Sequence, residues 1–204
     1  AAPDFETFTD SDSDGAYVVE VTATDDGSGT LTDVQTITVT VTNANDAPAI
    51  TSDGGGATAA INAAENQTAV TTVTSSDADG DTVTYGLTGG ADQSKFSIVS
   101  ASGVLTFSSA PDFETFTDSD SDGAYVVEVT ATDDGSGTLT DVQTITVTVT
   151  NANEAPAITS DGGGATASVS AAENQTAVTT VTSSDPDVGD TVTYSITGGA
   201  DLTK

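Results

Sequence analysis

AYVVEVTATDDGSGTLTDVQTITVTVT, from Ala124 to Thr150, decides the fold. Its first arm, Ala124–Ala131, sets Tyr125, Val127, Val129 and Ala131 on one face. Its last seven residues, Thr144–Thr150, set Ile145, Val147 and Val149 against a face of threonines. Alternation with a period of two marks strands with one buried side. The Asp, Gly and Ser residues between the arms are turn formers. Working outward, Val70–Val73, Val83–Leu87, Phe96–Val99 and Val104–Phe107 read as further short strands, separated by Gly, Asp, Asn and Ser. No segment shows a helical apolar period. The expectation is an all-β, immunoglobulin-like Greek-key sandwich of about seven strands.

The same stretch occurs twice. APDFETFTDSDSDGAYVVEVTATDDGSGTLTDVQTITVTVTNAN begins at Ala2 and again at Ala110, a period of 108. After Asp187 one additional residue, Val188, shifts the offset by one. Differences between copies keep side-chain type: Ile61 becomes Val169, Leu87 becomes Ile196, and Asp46 becomes Glu154. This period suits a small domain and is too long for a solenoid unit. Boundaries are expected at the linkers NANDAP (Asn43–Pro48) and NANEAP (Asn151–Pro156). Residues 47–154 then form one complete domain. Residues 1–46 read as the back half of a preceding domain, and residues 155–204 as the front half of a following one. The chain thus reads as an internal piece of a tandem array.

The chain carries 32 acidic residues against 2 lysines and no arginine, a formal net charge of -30. Disordered acidic tails are poor in β-branched and aromatic residues, whereas this sequence is rich in alternating Val, Ile, Thr, Tyr and Phe. It can bury a core, so its positive charge must come from solution. Carboxylates and carbonyls are the ligands that hard divalent cations prefer, calcium above all. The same charge sign excludes nucleic acid and argues against direct contact with anionic membranes. No apolar run approaches the roughly 20 residues of a membrane span. Without cysteine there is no disulfide brace, and calcium would serve instead.

Five acidic clusters lie at strand ends. PDFET holds Asp4 and Glu6, then Asp112 and Glu114, two apart and so on one face of an extended segment. SSDADGD holds Asp77, Asp79 and Asp81, and SSDPDVGD holds Asp185, Asp187 and Asp190. ATDDG brings Asp25 and Asp133, the linkers bring Asn45 with Asp46 and Asn153 with Glu154, and AAEN brings Glu65 and Glu173. Any one cluster also reads as a solvated turn. Their recurrence in register favours a metal.

The combination AEN, DxD, xDFE, AxDxG and NxND–P, in that order, resembles bacterial cadherin-like tandem repeats over the whole chain. The resemblance implies calcium held between successive domains, up to three ions per junction. It implies a first junction built by Asp4 and Glu6 from one side, Asn43, Asn45 and Asp46 in the linker, and Asp77, Asp79 and Asp133 from the other. A second junction would use Glu65, Asp112 and Glu114, then Asn151, Asn153 and Glu154, then Asp185 and Asp187. The glutamate of the first junction and the ATDDG aspartate of the second fall outside the sequence, so both sites are expected to be incomplete. The linker departs from the DxNDNxP of animal cadherins: Asn43 and Asn151 stand where an Asp is usual, and one position before Pro is missing. Homophilic adhesion of the animal kind also depends on a tryptophan, and this chain has none.

The implied role is a calcium-rigidified extender in a large, extracellular, bacterial surface adhesin of the repeats-in-toxin type. Adjacent repeats would be its partners, and other domains of the parent would meet the host or surface ligand. The alternative is a repeat that itself binds glycan or neighbouring copies. Threonine faces (Thr38, Thr40, Thr42 and Thr146, Thr148, Thr150) are ordinary solvent-facing strand residues, and Tyr85, Tyr125 and Phe113 read as core. With neither His nor Cys, the usual nucleophilic schemes are absent, and an enzyme is not expected. One element lies outside the family pattern. FTDSDSDGAY places Asp10, Asp12 and Asp14, then Asp118, Asp120 and Asp122, like the opening of an EF-hand loop but without its helices or closing Glu. It reads either as a further calcium site or as an acidic hairpin tip.

Overall fold

A computed structural model of the chain describes residues 2–201. Strands β1 (Ala16–Thr24) and β2 (Thr32–Thr40) come first. The central body contains β3 (Ala49–Ile50), β4 (Thr58–Ala64), β5 (Ala69–Thr72), β6 (Ser75–Ser76), β7 (Thr84–Gly89), β8 (Phe96–Ile98), β9 (Val104–Phe107), β10 (Ala124–Thr132) and β11 (Thr140–Thr150). β12 (Ala157–Ile158) and β13 (Ser183–Ser184) follow. Among the described residues there is no α-helix, only three short 3₁₀ turns.

The central body is a sandwich. One sheet has the order β4-β11-β10-β7 and the other β5-β9-β8, with β3 paired to β6 beside them. The alternation in β10 and β11 becomes burial: Tyr125, Val127, Val129, Ala131, Ile145, Val147 and Val149 all face inward. From the second sheet Phe96, Leu105 and Phe107 meet them. Tyr125 stands edge-on to Phe107 at 5.3 Å and to Phe96 at 6.4 Å, and those two phenylalanines stack at 4.8 Å. Each such side chain removed from water contributes about 1.5–3 kcal/mol, so this seam holds the two sheets together. Gly90 (φ +96°) follows β7 where the chain runs beside β10, and a Cβ there would strike the Val127 backbone.

β4 was not legible as a strand, nor were the two-residue strands β3, β6, β12 and β13. β4 is TAAINAA, too small and too mixed to show alternation, yet Ala59 and Ala63 are buried. β4 runs parallel to β11, with Thr58 opposite Thr144 and Ala64 opposite Thr150. Small residues let it lie close over the core. The predicted strands form within two residues of their expected limits, except that β11 begins at Thr140, four residues before Thr144.

Register decides which acids meet. β7 is antiparallel to β10 with Thr84 opposite Thr132, so the segment before β7 and the residue after β10 share one end of the sandwich. That pair is Asp77–Asp81 and Asp133. Ala64 lies opposite Thr150, so Glu65 and the linker after β11 share the other end.

Candidate metal centre

At the first junction the linker is clamped by the aspartates of the central body. The Asn43 side-chain amide donates to Asp79 Oδ1 at 2.7 Å, and the Asp46 main-chain N–H to Asp79 Oδ2 at 2.7 Å. Asn45 Nδ2 donates to Asp133 Oδ2 at 2.9 Å. Asp133 is buried, and its Oδ1 accepts from Gly135 N and Leu139 N, which closes the ATDDG turn around it. Asp77 folds the DxD loop by accepting from the N–H groups of Asp79 and Asp81 at 3.0 and 3.2 Å. Glu6, Asp46 and Asp79 converge, with carboxylate oxygens within 4.8 Å of one another, and so do Asp77, Asp79 and Asp81. Asp4 lies one step behind, its Oδ1 accepting from Glu6 N.

The second junction repeats this arrangement. Glu154 N donates to Asp187 Oδ2 at 2.6 Å, as Asp46 N does to Asp79. Asp185 accepts from Asp187 N as Asp77 does from Asp79 N. On the other side Glu65 is buried and accepts from Phe113 N and Ala152 N, both at 2.8 Å. Glu65, Asp112 and Glu114 form a third cluster. Asn153 makes only a local bond, from Nδ2 to Glu154 O, and among the described residues Asn151 donates none of the bonds that Asn43 does.

The electrostatics record the crowding. Loss of hydration, then the charges of Asp77, Asp134, Asp79 and Asp133, push the Asp81 carboxyl above its ordinary value. Glu114 is raised in the same way, by desolvation and by Glu65, Glu154 and Asp187. Glu6 rises by desolvation, with Asp79 and Asp4 adding to it. Asp79 is held low by the donors from Asp46 and Asn43. Two oxygens, Asp77 Oδ2 and Asp81 Oδ2, are shielded from solvent and have no hydrogen-bond donor among the described residues. Orphaned carboxylate oxygens of this kind are costly. A set made entirely of hard oxygen donors, some of them unsatisfied, fits calcium.

Several sequence-predicted residues stay outside these clusters. Asp25 is exposed and closes its own turn through Gly27 N and Leu31 N. Glu173 is exposed, and Asp190 is exposed with only its main-chain N–H bonded, to Asp187 O. The aspartates of the two DSDSDG loops gather into separate clusters of their own.

Two junction residues escaped the sequence reading. Asn66, at φ +61°, donates from Nδ2 to Glu154 Oε1 at 2.9 Å. Its place directly after Glu65 in AEN was the available signal. Asp134 accepts from Thr82 N and adds charge beside Asp81; the doubled aspartate of ATDDG announced it.

Residues 58–150 match the family model of the cadherin domain. The fold is cadherin-like. A protocadherin gammaB7 EC3-6 cis-dimer structure is similar at 27% identity and a TM-score of 0.51, over 90% of this chain and 45% of that one. A structure of protocadherin gamma B7 extracellular cadherin domains 1-4 shares the fold at 22% identity and a TM-score of 0.50, over 90% of this chain and 44% of that one. This chain therefore spans less than half the length of either solved chain. No match is found among curated proteins. The cadherin-like matched segment runs from the start of β4 to the end of β11, the span that carries both main sheets.

Proposed function

We propose that the chain is a calcium-braced stretch of a tandem array, an extender in an extracellular adhesin of a bacterial surface. Residues 47–154 would be one full repeat between the back half of one neighbour and the front half of the next. The observation that carries this reading is the repeated clamp. At positions 108 apart, the linker N–H of Asp46 and of Glu154 is caught by the second aspartate of the following DxD motif. A clamp that recurs in register would set the angle between successive domains.

Asp4, Glu6, Asn43, Asn45, Asp46, Asp77, Asp79, Asp81 and Asp133 would hold metal at the first junction, and Glu65, Asp112, Glu114, Asn153, Glu154, Asp185 and Asp187 at the second. Calcium, up to three ions per junction, would supply the positive charge that a chain of net charge -30 lacks. The protein's own part is preorganisation. Hydrogen bonds to Asp77, Asp79 and Asp133 fix those carboxylates before any ion arrives, and leave Asp77 Oδ2 and Asp81 Oδ2 unsatisfied. Extracellular calcium modules have dissociation constants of about 0.1–1 mM, so such an array stiffens outside the cell and stays loose in calcium-poor cytosol. Adjacent repeats are the direct partners, and any host or surface target belongs to other parts of the parent protein.

Small-angle scattering and thermal unfolding in calcium and in chelator test this. The expected result is a higher melting temperature and a longer, better-defined maximum dimension in calcium. Identical curves in both buffers would refute the reading.

A further inference from the structure

The DSDSDG loop ahead of β10 is not explained by the junctions. Asp118 is buried to 6% exposure, yet its Oδ1 has no hydrogen-bond partner among the described residues. Its other oxygen, Oδ2, accepts from Asp122 N at 2.9 Å, which curls the loop back on itself. Asp122 Oδ1 in turn accepts from Ala124 N at 2.8 Å, at the start of β10. The carboxylates of Asp118, Asp120 and Asp122 then lie within 4.8 Å of one another. The orphan oxygen therefore belongs to a group of three acids, with no lysine or arginine in the loop.

The loop is also tied to the domain. Asp92, itself buried, accepts from Ser119 N at 2.6 Å and from Val126 N at 2.9 Å, one anchor within the loop and one beyond it in β10. A loop merely repelling itself at a hairpin tip would swing its acids outward into water. Here two buried aspartates, 118 and 92, are used to hold the acids together. The first copy keeps the same curl: Asp14 N donates to Asp10 Oδ2, Ala16 N donates to Asp14 Oδ1, and Asp10, Asp12 and Asp14 cluster likewise.

We propose that Asp118, Asp120 and Asp122 form a calcium site within the domain, separate from the junctions, with Asp118 Oδ1 as its innermost ligand. Three hard carboxylates at alternate positions supply about half of the six to eight oxygens calcium takes. Main-chain carbonyls and water supply the rest. Asp92 is a positioning residue that sets the loop on the sandwich without touching the ion. The site would brace the turn into β10, the strand that carries Tyr125, Val127 and Val129, so it links metal to the core of a single domain and not to the angle between two.

Isothermal calorimetry and calcium-dependent melting on the whole chain decide the matter. In a variant with both junctions neutralised (Glu6→Gln, Asp46→Asn, Asp79→Asn, Glu114→Gln, Glu154→Gln and Asp187→Asn), at least one calcium should still bind per chain, and calcium should still raise the melting temperature of the central domain. Adding Asp118→Asn and Asp120→Asn to that background should lower this residual binding by one ion and abolish the calcium-dependent rise in the central domain's melting temperature. In the natural sequence, the same two loop substitutions should lower the stoichiometry by one ion and leave the calcium-induced lengthening in scattering intact. The proposal is overturned if the junction-neutralised variant, folded by circular dichroism, takes up no calcium. It is equally overturned if loop substitution leaves stoichiometry unchanged. Failure of the junction reading would show instead as scattering that ignores calcium, so the two outcomes are distinct.

Discussion

Residues 2–45 and 110–153 are identical in sequence and fold into the same hairpin in two different surroundings. Ala16 pairs with Thr40 as Ala124 pairs with Thr148, and the register holds through to Thr24–Thr32 and Thr132–Thr140. Local bonds agree as well: Thr9 N and Thr117 N each donate to the hydroxyl of the tyrosine eight residues on. Burial does not agree. Val19, Val21 and Val39 are 52%, 51% and 54% exposed, while Val127, Val129 and Val147 are at 0%. The difference lies in what flanks the hairpin, because only β10 and β11 have β7 and β4 at their edges and β8 and β9 across the seam. Turn chemistry and alternation suffice for a paired hairpin; a core needs the front half of the repeat as well.

The largest expected contrast between the copies is at their shared tyrosine. Tyr125→Ala should destabilise the central domain by about 3–5 kcal/mol, the usual cost of emptying an aromatic core position. Tyr17→Ala, at a half-buried site, should cost less than about 1 kcal/mol. Urea unfolding of each variant measures both, and equal losses would mean that the first hairpin has a core of its own.

Next comes the aspartate that follows the first arm of each hairpin. At calcium one hundred times its dissociation constant, binding to the folded state alone adds about 2.7 kcal/mol. Asp133→Asn, which removes a charge beside Asn45, should forfeit much of that increment, whereas Asp25→Asn should leave it unchanged. Asparagine can still accept the turn bonds through Oδ1, so the local structure is spared in both. Melting temperatures with and without calcium check this.

Glycines compare the front halves in the same way. Gly90→Ala drives a methyl into the Val127 backbone, while the same change at Gly199 (φ +122°) meets nothing within 4 Å. Expected losses are about 1–3 kcal/mol at Gly90 from overpacking and about 1 kcal/mol at Gly199 from backbone strain alone, read from chemical denaturation.

The smallest effect is one in which the copies behave alike. Glu6 and Glu114 both have raised carboxyl values, as does Asp81. A carboxyl raised in the folded state binds protons more readily there than when unfolded, so its effect on stability becomes unfavourable as pH rises through the folded value. In chelator, the melting temperature should therefore climb as pH falls from neutral toward the ordinary carboxylate range of about 4. Below that range the low-held Asp79 reverses the trend as it takes up a proton. Glu6→Gln and Glu114→Gln should each flatten the climb, and a melting temperature that falls steadily from neutral pH would contradict the assignment.

Much of the site was legible because its residues are short motifs placed at strand ends. DxD, xDFE, ATDDG and the asparagine linker each point to a turn, and the resemblance to cadherin-like repeats implied which turns share an end. Asn66 was marked only by its place after Glu65, because its contribution, one amide bond across 88 residues to Glu154, is made by the fold. β4 escaped because its evidence is a parallel partner, β11, and not its own alternation. Asp25 stands in a motif that matches that of Asp133 in every residue, yet Asp133 is buried and meets Asn45 while Asp25 is exposed and closes its own turn.

By itself the sequence determined the all-β class, the 108-residue repeat, the hairpin register and the gathering of acids into turns, because all of these follow from side-chain alternation and local turn chemistry. Tertiary structure alone decided in which copy the apolar hairpin face is dry, which carboxylate oxygens are left without donors, and which copies of a motif meet a partner. Those outcomes depend on contacts between residues far apart in the chain, and identical local sequences cannot differ until such contacts are made.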